Sequence, residues 1–175
     1  MKGDAIIFNS NFVKKTYEHK FNDKTKLHVI PRGVDTNYFS PSRKKLMSKN
    51  IFIPSRISSW KGHELLLKYF SLLQQKHKDT FNIHIVSLNK SKEEKKIQLL
   101  INKLNISKKI IIHKPTLDVK KLYQEAYLVV NISKRPEGFG RTVSEALSVS
   151  KVVIAPNQGG TCLLYTSPSP RDLST

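Results

Sequence analysis

Two segments of this sequence combine residue types that can hold an anion and a polyol. The first reads Pro54-Ser55-Arg56-Ile57-Ser58-Ser59-Trp60-Lys61-Gly62, between a short apolar run and a helical pattern. Arg56 and Lys61 are cations five residues apart. The helix start beside them adds unpaired N–H groups and a partial positive charge. Together they suit a diphosphate, which takes charge-assisted hydrogen bonds from both sources. The plainer alternative is two surface cations in a Lys-rich chain. The second segment runs from Arg135 through Glu137-Gly138-Phe139-Gly140 to Glu145-Ala146. Gly138 and Gly140 permit close backbone approach to a ligand. Glu137 falls on the loop, and Glu145 lies eight residues later inside a helix starting near Thr142. A carboxylate accepts two hydrogen bonds at once, which suits a vicinal diol such as a ribose. The alternative is a capping acid followed by a surface Glu. Asn157-Gln158-Gly159-Gly160 follows a strand pattern and either approaches a ligand or simply turns. The six histidines show no metal-ligand spacing, and His63, on the first turn of a helix, reads as a surface residue. There is no nucleophile–base pair, no Walker loop and no pair of carboxylates at a catalytic separation.

The elements around these segments alternate. Ala5–Phe8 and Leu27–Ile30 read as strands, with a helix between them capped by Ser10 and running to about Lys20. Pro31-Arg32-Gly33-Val34-Asp35 breaks regular structure, and 42–49 is basic and polar. From there, short apolar runs at 51–53, 81–86, 110–112, 128–132 and 152–155 predict strands. Helical stripes at 61–76, 91–104, 117–126 and 142–149 separate them. In the first of these, Leu65, Leu66, Tyr69, Phe70, Leu72 and Leu73 form the expected core stripe. Strands apolar on both faces, separated by helices, spell an α/β fold with a doubly wound, Rossmann-like parallel sheet. Ligands then bind beyond the carboxyl ends of the strands, at the loops after Ile53, Val86, Ile112 and Ile132.

Composition bounds the rest. The 175 residues are 38% hydrophobic and 25% charged, enough for a core of ordinary size and too apolar for a disordered chain. No run is long enough to span a membrane. A single cysteine, Cys162, excludes a disulfide framework. The net charge of +18 attracts anions, but the lysines are spread along the whole chain rather than gathered in one arm. A nucleic-acid-binding surface would need aromatics interleaved with cations, whereas Tyr69, Phe70, Phe81 and Tyr123 fall on apolar stripes and read as core. Residues 162–172, CLLYTSPSPRD, match one reading frame of a widely used transposase sequencing adapter residue for residue. The expectation is that 162–175 is a non-native tail, that the natural sequence continues beyond Thr161, and that the chain starts mid-gene at Met1.

Taken in order, the motifs resemble the retaining glycosyltransferases of family 4, which have the GT-B fold. The likeness covers about Asp4 to Thr161. Leu27-His28-Val29-Ile30-Pro31-Arg32-Gly33-Val34-Asp35 through Pro41 is similar to that family's interdomain connection. Arg56 and Lys61-Gly62 fall on its donor-phosphate pair, Glu137 and Glu145 on its Glu, seven residues, Glu signature, and Asn157–Thr161 on its glycine-rich segment. The resemblance implies a division into the end of an acceptor-side domain (1–31), an interdomain linker (32–49) and a donor-binding domain (50–161). The donor is a nucleotide-diphosphate-sugar, used with no metal and no other cofactor. Arg56 and Lys61 would neutralise the diphosphate, Glu145 would hold the ribose, and Glu137 the sugar hydroxyls. Gly138, Phe139 and Gly140 would pack on sugar and phosphate, with Gly159 and Gly160 close by. Ser87 and Lys114-Pro115 would flank the base. The implied acceptor is a glycan or lipid-linked glycan, reached in the cytoplasm or at an anionic membrane surface, with no nucleic acid as partner. A sugar epimerase or phosphorylase of the same architecture is the alternative enzyme, and a basic nucleic-acid-binding domain the alternative of another class. The Arg-Gly-Val-Asp and Ser-Trp-Lys-Gly-His-Glu variants resemble bacterial members acting in surface-polysaccharide or lipopolysaccharide assembly. Ser87 and Ser150 stand where that family commonly has glycine.

Overall fold

The computed structural model describes residues 4–22, 25–44, 49–76, 81–87, 91–114, 118–162 and 164. Strands β1 (Ala5–Phe8) and β2 (Lys26–Val29) form a parallel pair joined through helix α1 (Asn11–Tyr17). Ser10 caps α1 by accepting a hydrogen bond from the Val13 N–H at 3.2 Å, as its position before the apolar stretch implied. The helix ends three residues short of the expected limit, in a 3-10 turn at Glu18–Lys20.

The larger sheet holds β3 (Lys49–Ile53), β4 (Phe81–Val86), β5 (Ile110–His113), β6 (Leu128–Val130) and β7 (Val152–Ile154), all parallel. Their spatial order is β5-β4-β3-β6-β7. Alternate residues of β3 feed two cores. Ile51 and Ile53 point to one face, where helices α2 (His63–Lys76) and α3 (Lys92–Lys103) supply Leu67, Phe70, Ile97 and Ile101. Phe52 points to the other face, where α4 (Val119–Glu125) and α5 (Arg141–Ser148) supply Tyr123 and Ala146. Ile53, Leu67, Ile83 and Ile85 are fully enclosed, and burying each such side chain stabilises the fold by about 1.5–3 kcal/mol. This is the expected doubly wound sheet, and its strand order reverses between β3 and β6. Phe39, from the segment before β3, completes the second core, with its carbonyl accepting from Ser148 Oγ at 2.6 Å.

Helix α2 departs from the expected stripe. His63, Leu67, Phe70 and Ser71 are its buried face, while Leu65, Tyr69, Leu72 and Leu73 are exposed. The helix carries two apolar stripes, and the sheet covers only one of them. Tyr69 is therefore surface, not core.

Ser150, just past the end of α5, has a φ of 59°. Its N–H donates to the Leu147 carbonyl at 2.9 Å, and the Lys151 N–H to the Ala146 carbonyl at 3.0 Å, so the turn is tight. The left-handed conformation costs an L-residue roughly 1–2 kcal/mol, and only part of that is offset by the serine's smaller unfolded-state entropy. Ser150→Gly is expected to stabilise the domain by roughly 0.5–1 kcal/mol and raise its midpoint by about 2–5 °C in thermal denaturation. A lowered midpoint would show that the serine side chain itself holds the turn.

Candidate functional site

The loops after β3 and β6 leave the sheet at the point where strand order reverses, and they are tied together. Lys61 Nζ donates to Glu137 Oε1 at 2.6 Å, both side chains being nearly enclosed. The Lys134 N–H donates to the Trp60 carbonyl at 2.7 Å. Gly62, with φ of 73°, lets the chain turn into α2 directly under β6: a Cβ there would lie 2.1 Å from the Ile132 carbonyl oxygen. The Lys61 ammonium also rides over the Trp60 ring, 4.3 Å from its centroid. Arg56 is exposed on the same loop and has no ion-pair partner among the described residues.

Glu137 Oε1 is a point of convergence. Besides Lys61 it accepts from Asn131 Nδ2 at 3.2 Å and from the Ser133 hydroxyl. Oε2 has no hydrogen-bond partner among the described residues. Burial pushes the Glu137 carboxyl up, but the hydrogen bonds from Lys61, Ser133 and Asn131 and the Lys61 charge outweigh it, holding the group below the ordinary carboxylate value. Asn131 is buried, and its Nδ2 also reaches Thr142 Oγ1 at 3.2 Å, joining the loop to the first turn of α5.

Glu145 is buried on α5 and accepts from Tyr123 OH at 2.7 Å on Oε2 and from Arg141 Nε at 2.6 Å on Oε1. Burial, the Glu145 charge and this hydrogen bond raise the Tyr123 phenol well above its ordinary range, so it remains a donor. Glu145 and Arg141 border an open hollow of about 180 Å³ that Arg32 to Asp35 also line. Neither the bland reading of Glu145 as a surface acid nor that of Glu137 as a helix cap describes the structure.

The glycines serve close approach, in a form the sequence left open. Gly160 packs on the Glu137–Phe139 backbone, where a Cβ would lie 2.3 Å from the Gly138 carbonyl oxygen, and its N–H donates to the Glu137 carbonyl at 2.7 Å. Gly159, with φ of 66°, bridges to Glu137. Gly140 takes φ of 81° at the start of α5. Gly138 abuts Asn9 and Val13, and its carbonyl accepts from the Ser10 hydroxyl, so the small β1–β2 unit braces this loop. Phe139 is half-buried beside them. Ser87 is buried at the end of β4, its N–H donating to the His113 carbonyl at 3.0 Å. Pro115 lies outside the described residues.

His63 is a correction. It is 1% exposed, not a surface residue. Nε2 lies 3.3 Å from the Ser55 carbonyl, which can only accept, so Nε2 carries the hydrogen and Nδ1 is a bare buried acceptor with no partner among the described residues. Burial, aided by the Lys61 charge and opposed by the Ser55 hydrogen bond, lowers the imidazole pKa to about 4. Sequence reasoning also missed Trp60, Asn131, Ser133, Tyr123 and Arg141 as members of the site. Asn131 fell inside the strand expected at 128–132, but β6 ends at Val130; the missed signal was the change from Leu128-Val129-Val130 to polar Asn131 and Ser133.

The arrangement defines a Rossmann-type α/β domain whose ligand end gathers a cation-bearing loop, two helix starts and two tightly held glutamates. A family model for glycosyl transferases group 1 matches residues 34–166, and the chain belongs to that family. A probable sucrose-phosphate synthase of Thermosipho melanesiensis is 28% identical, the match covering 91% of this chain and 41% of that protein. A glycosyltransferase from Rickettsia africae superposes with a TM-score of 0.81 at 29% identity, over 94% of this chain and 47% of that one. HepE of Anabaena, solved in complex with UDP and glucose, superposes with a TM-score of 0.79 at 23% identity, over 92% and 46%. That last identity speaks for the fold alone. The chain spans less than half the length of these relatives and corresponds to the C-terminal half of GT-B glycosyltransferases. Among the described residues no helix is long and apolar enough to cross a membrane, and no group of three His, Cys, Asp or Glu side chains is placed to hold a metal ion.

His63 yields a pH prediction. Its folded pKa of about 4 lies below its unfolded value near 6.5, so the unfolded chain binds more protons in between. Stability is unaffected by this group above pH ~6.5 and falls as pH drops toward ~4, by up to about 3 kcal/mol. In urea titrations across that range, His63→Gln is expected to flatten the slope by about one proton. An unchanged slope would assign the acid sensitivity to other groups.

Proposed function

We propose that this chain is the donor-binding half of a retaining glycosyltransferase that takes a sugar from a nucleotide-diphosphate-sugar. The observation that carries the reading is the union, at the strand-order reversal, of the Arg56–Lys61 loop with Glu137. Among the described residues Arg56 has no ion-pair partner, and Lys61 follows on the same loop, just before the unpaired N–H groups at the start of α2. Aimed at a diphosphate, these groups stabilise the charge that develops on the leaving group as the glycosidic bond breaks. Glu137 Oε1 is committed to Lys61, Asn131 and Ser133, which leaves Oε2 to accept from sugar hydroxyls. Glu145, at the edge of the open hollow, accepts from the ribose diol. That HepE was solved with UDP and glucose supports this class of donor.

The acceptor in this reading is a glycan or lipid-linked glycan, in assembly of a bacterial surface polysaccharide or lipopolysaccharide. Its binding groups belong to the half of the relatives' length that this chain does not span, so the 175 residues alone do not catalyse transfer. Residues 162–175 are a non-native tail in this reading, and sequencing the source locus across Thr161 tests their origin.

In the full-length parent, Arg56→Ala and Lys61→Ala are each expected to cost about 1–3 kcal/mol in kcat/KM for the donor. Unchanged kinetics in both would remove the assignment. Product analysis on the same enzyme should find a new glycosidic bond that keeps the donor's anomeric configuration. An epimerised nucleotide-sugar or a sugar phosphate would instead favour the alternative enzymes of this architecture.

A further inference from the structure

We propose that Tyr123 is a positioning residue for ribose recognition: its hydroxyl fixes the Glu145 carboxylate so that a 2′,3′-diol is selected over a 2′-deoxyribose. The proposal rests on the reading of Glu145 given above. An ionised carboxylate has about four lone-pair sites. Tyr123 occupies one on Oε2 and Arg141 one on Oε1, which leaves one acceptor site on each oxygen. Two adjacent acceptors are what a vicinal diol requires. The two partners differ in rigidity. Arg141 is 62% exposed and touches Glu145 through Nε alone. Tyr123 has no exposed surface, and its ring meets Phe39 and Phe52 edge to face, at centroid distances of 5.7 and 5.0 Å. A hydroxyl on a ring clamped in this way cannot follow Glu145 if the carboxylate turns. A second, longer contact to the Thr142 carbonyl at 3.4 Å ties the same hydroxyl to the first turn of α5. The tyrosine therefore sets the plane in which Glu145 meets the hollow, although it touches no ligand itself.

The test is a set of titrations on the 175-residue chain. The probes are uridine, guanosine, adenosine and cytidine diphosphates and their 2′-deoxy counterparts. The chain is expected to prefer the ribonucleotide of its preferred base by about 10–100-fold, the value of one hydrogen bond to a charged acceptor. Glu145→Gln should collapse that ratio. Tyr123→Phe keeps the ring and removes only the hydroxyl; it should lower the ratio to about threefold or less while affinity for the deoxynucleotide changes less than about twofold. A purely structural tyrosine would weaken both nucleotides together. If Glu145→Gln collapses the ratio and Tyr123→Phe preserves it, the role of Tyr123 is overturned and that of Glu145 stands. If the unaltered chain shows no ribose preference, or binds none of the probes, both are overturned. Thermal unfolding is followed in parallel, and should Tyr123→Phe melt near the assay temperature, the titrations are made in the Ser150→Gly background.

Discussion

The ion pair between Lys61 and Glu137 is the constraint on which the ligand end of this domain depends. It joins loops from the two strands between which the sheet order reverses, at 2.6 Å and with both side chains nearly enclosed. Such a pair adds little net stability, because taking both charges out of water costs about as much as their attraction returns. Removing one partner is another matter, since roughly 3–5 kcal/mol is lost when a buried charge is left alone. The pair therefore acts mainly as a fixed strut. Its length sets how far the Arg56 loop stands from the loop that leads into α5. The Trp60 face, Asn131 and Ser133 each hold one end of it.

Glycines supply the closeness that the strut demands. At Gly62 the carbonyl of Ile132 occupies the space a side chain would need, so the loop can reach Glu137 only if that position is glycine. At Gly160 the backbone of Gly138 does the same from the opposite direction. Both contacts are protein on protein. The flexibility that glycine brings in isolation is used here to lock three loops against one another, so that the side chains they carry meet a ligand already arranged.

How much of this was legible in the sequence depends on the range of the interaction. The strands were, because a parallel sheet covered on both faces demands short, nearly all-apolar runs; 51–53 and 110–112 have that form, and 81–86 departs from it only at Asn82 and His84. The helix start at Ser10 was, because the cap is a bond to a residue three positions on. What failed was anything decided by a distant neighbour. On α2 periodicity pointed to one core stripe through Leu65 and Tyr69, whereas the sheet covers the face of Leu67 and Phe70. His63 looked exposed at a helix start, yet the turn at Gly62 places that start beneath the end of β6. The pairing of Glu137 and Glu145 with their chemistry came from resemblance to a known signature. Their partners Lys61 and Tyr123 come from other elements, 76 and 22 residues away, and no local pattern links them.

The charge of the chain and the charge of its site are separate matters. A net +18 is carried by lysines spread over the whole sequence, and it raises the attraction for any polyanion without selecting one. Within the site the cations are largely spoken for: Lys61 faces Glu137 and Arg141 faces Glu145. Among the described residues what remains is Arg56 and, lining the hollow, Arg32, together with the unpaired N–H groups at the starts of α2 and α5. This residue of positive potential is small and directional. It suits a compact dianion presented at one point better than the long, even charge of a nucleic-acid backbone, which needs a continuous cationic track. The two glutamates sharpen the choice. Carboxylates lining a polyanion groove would repel the backbone throughout, whereas beside a diphosphate they can face the neutral hydroxyl-bearing groups on either side of it.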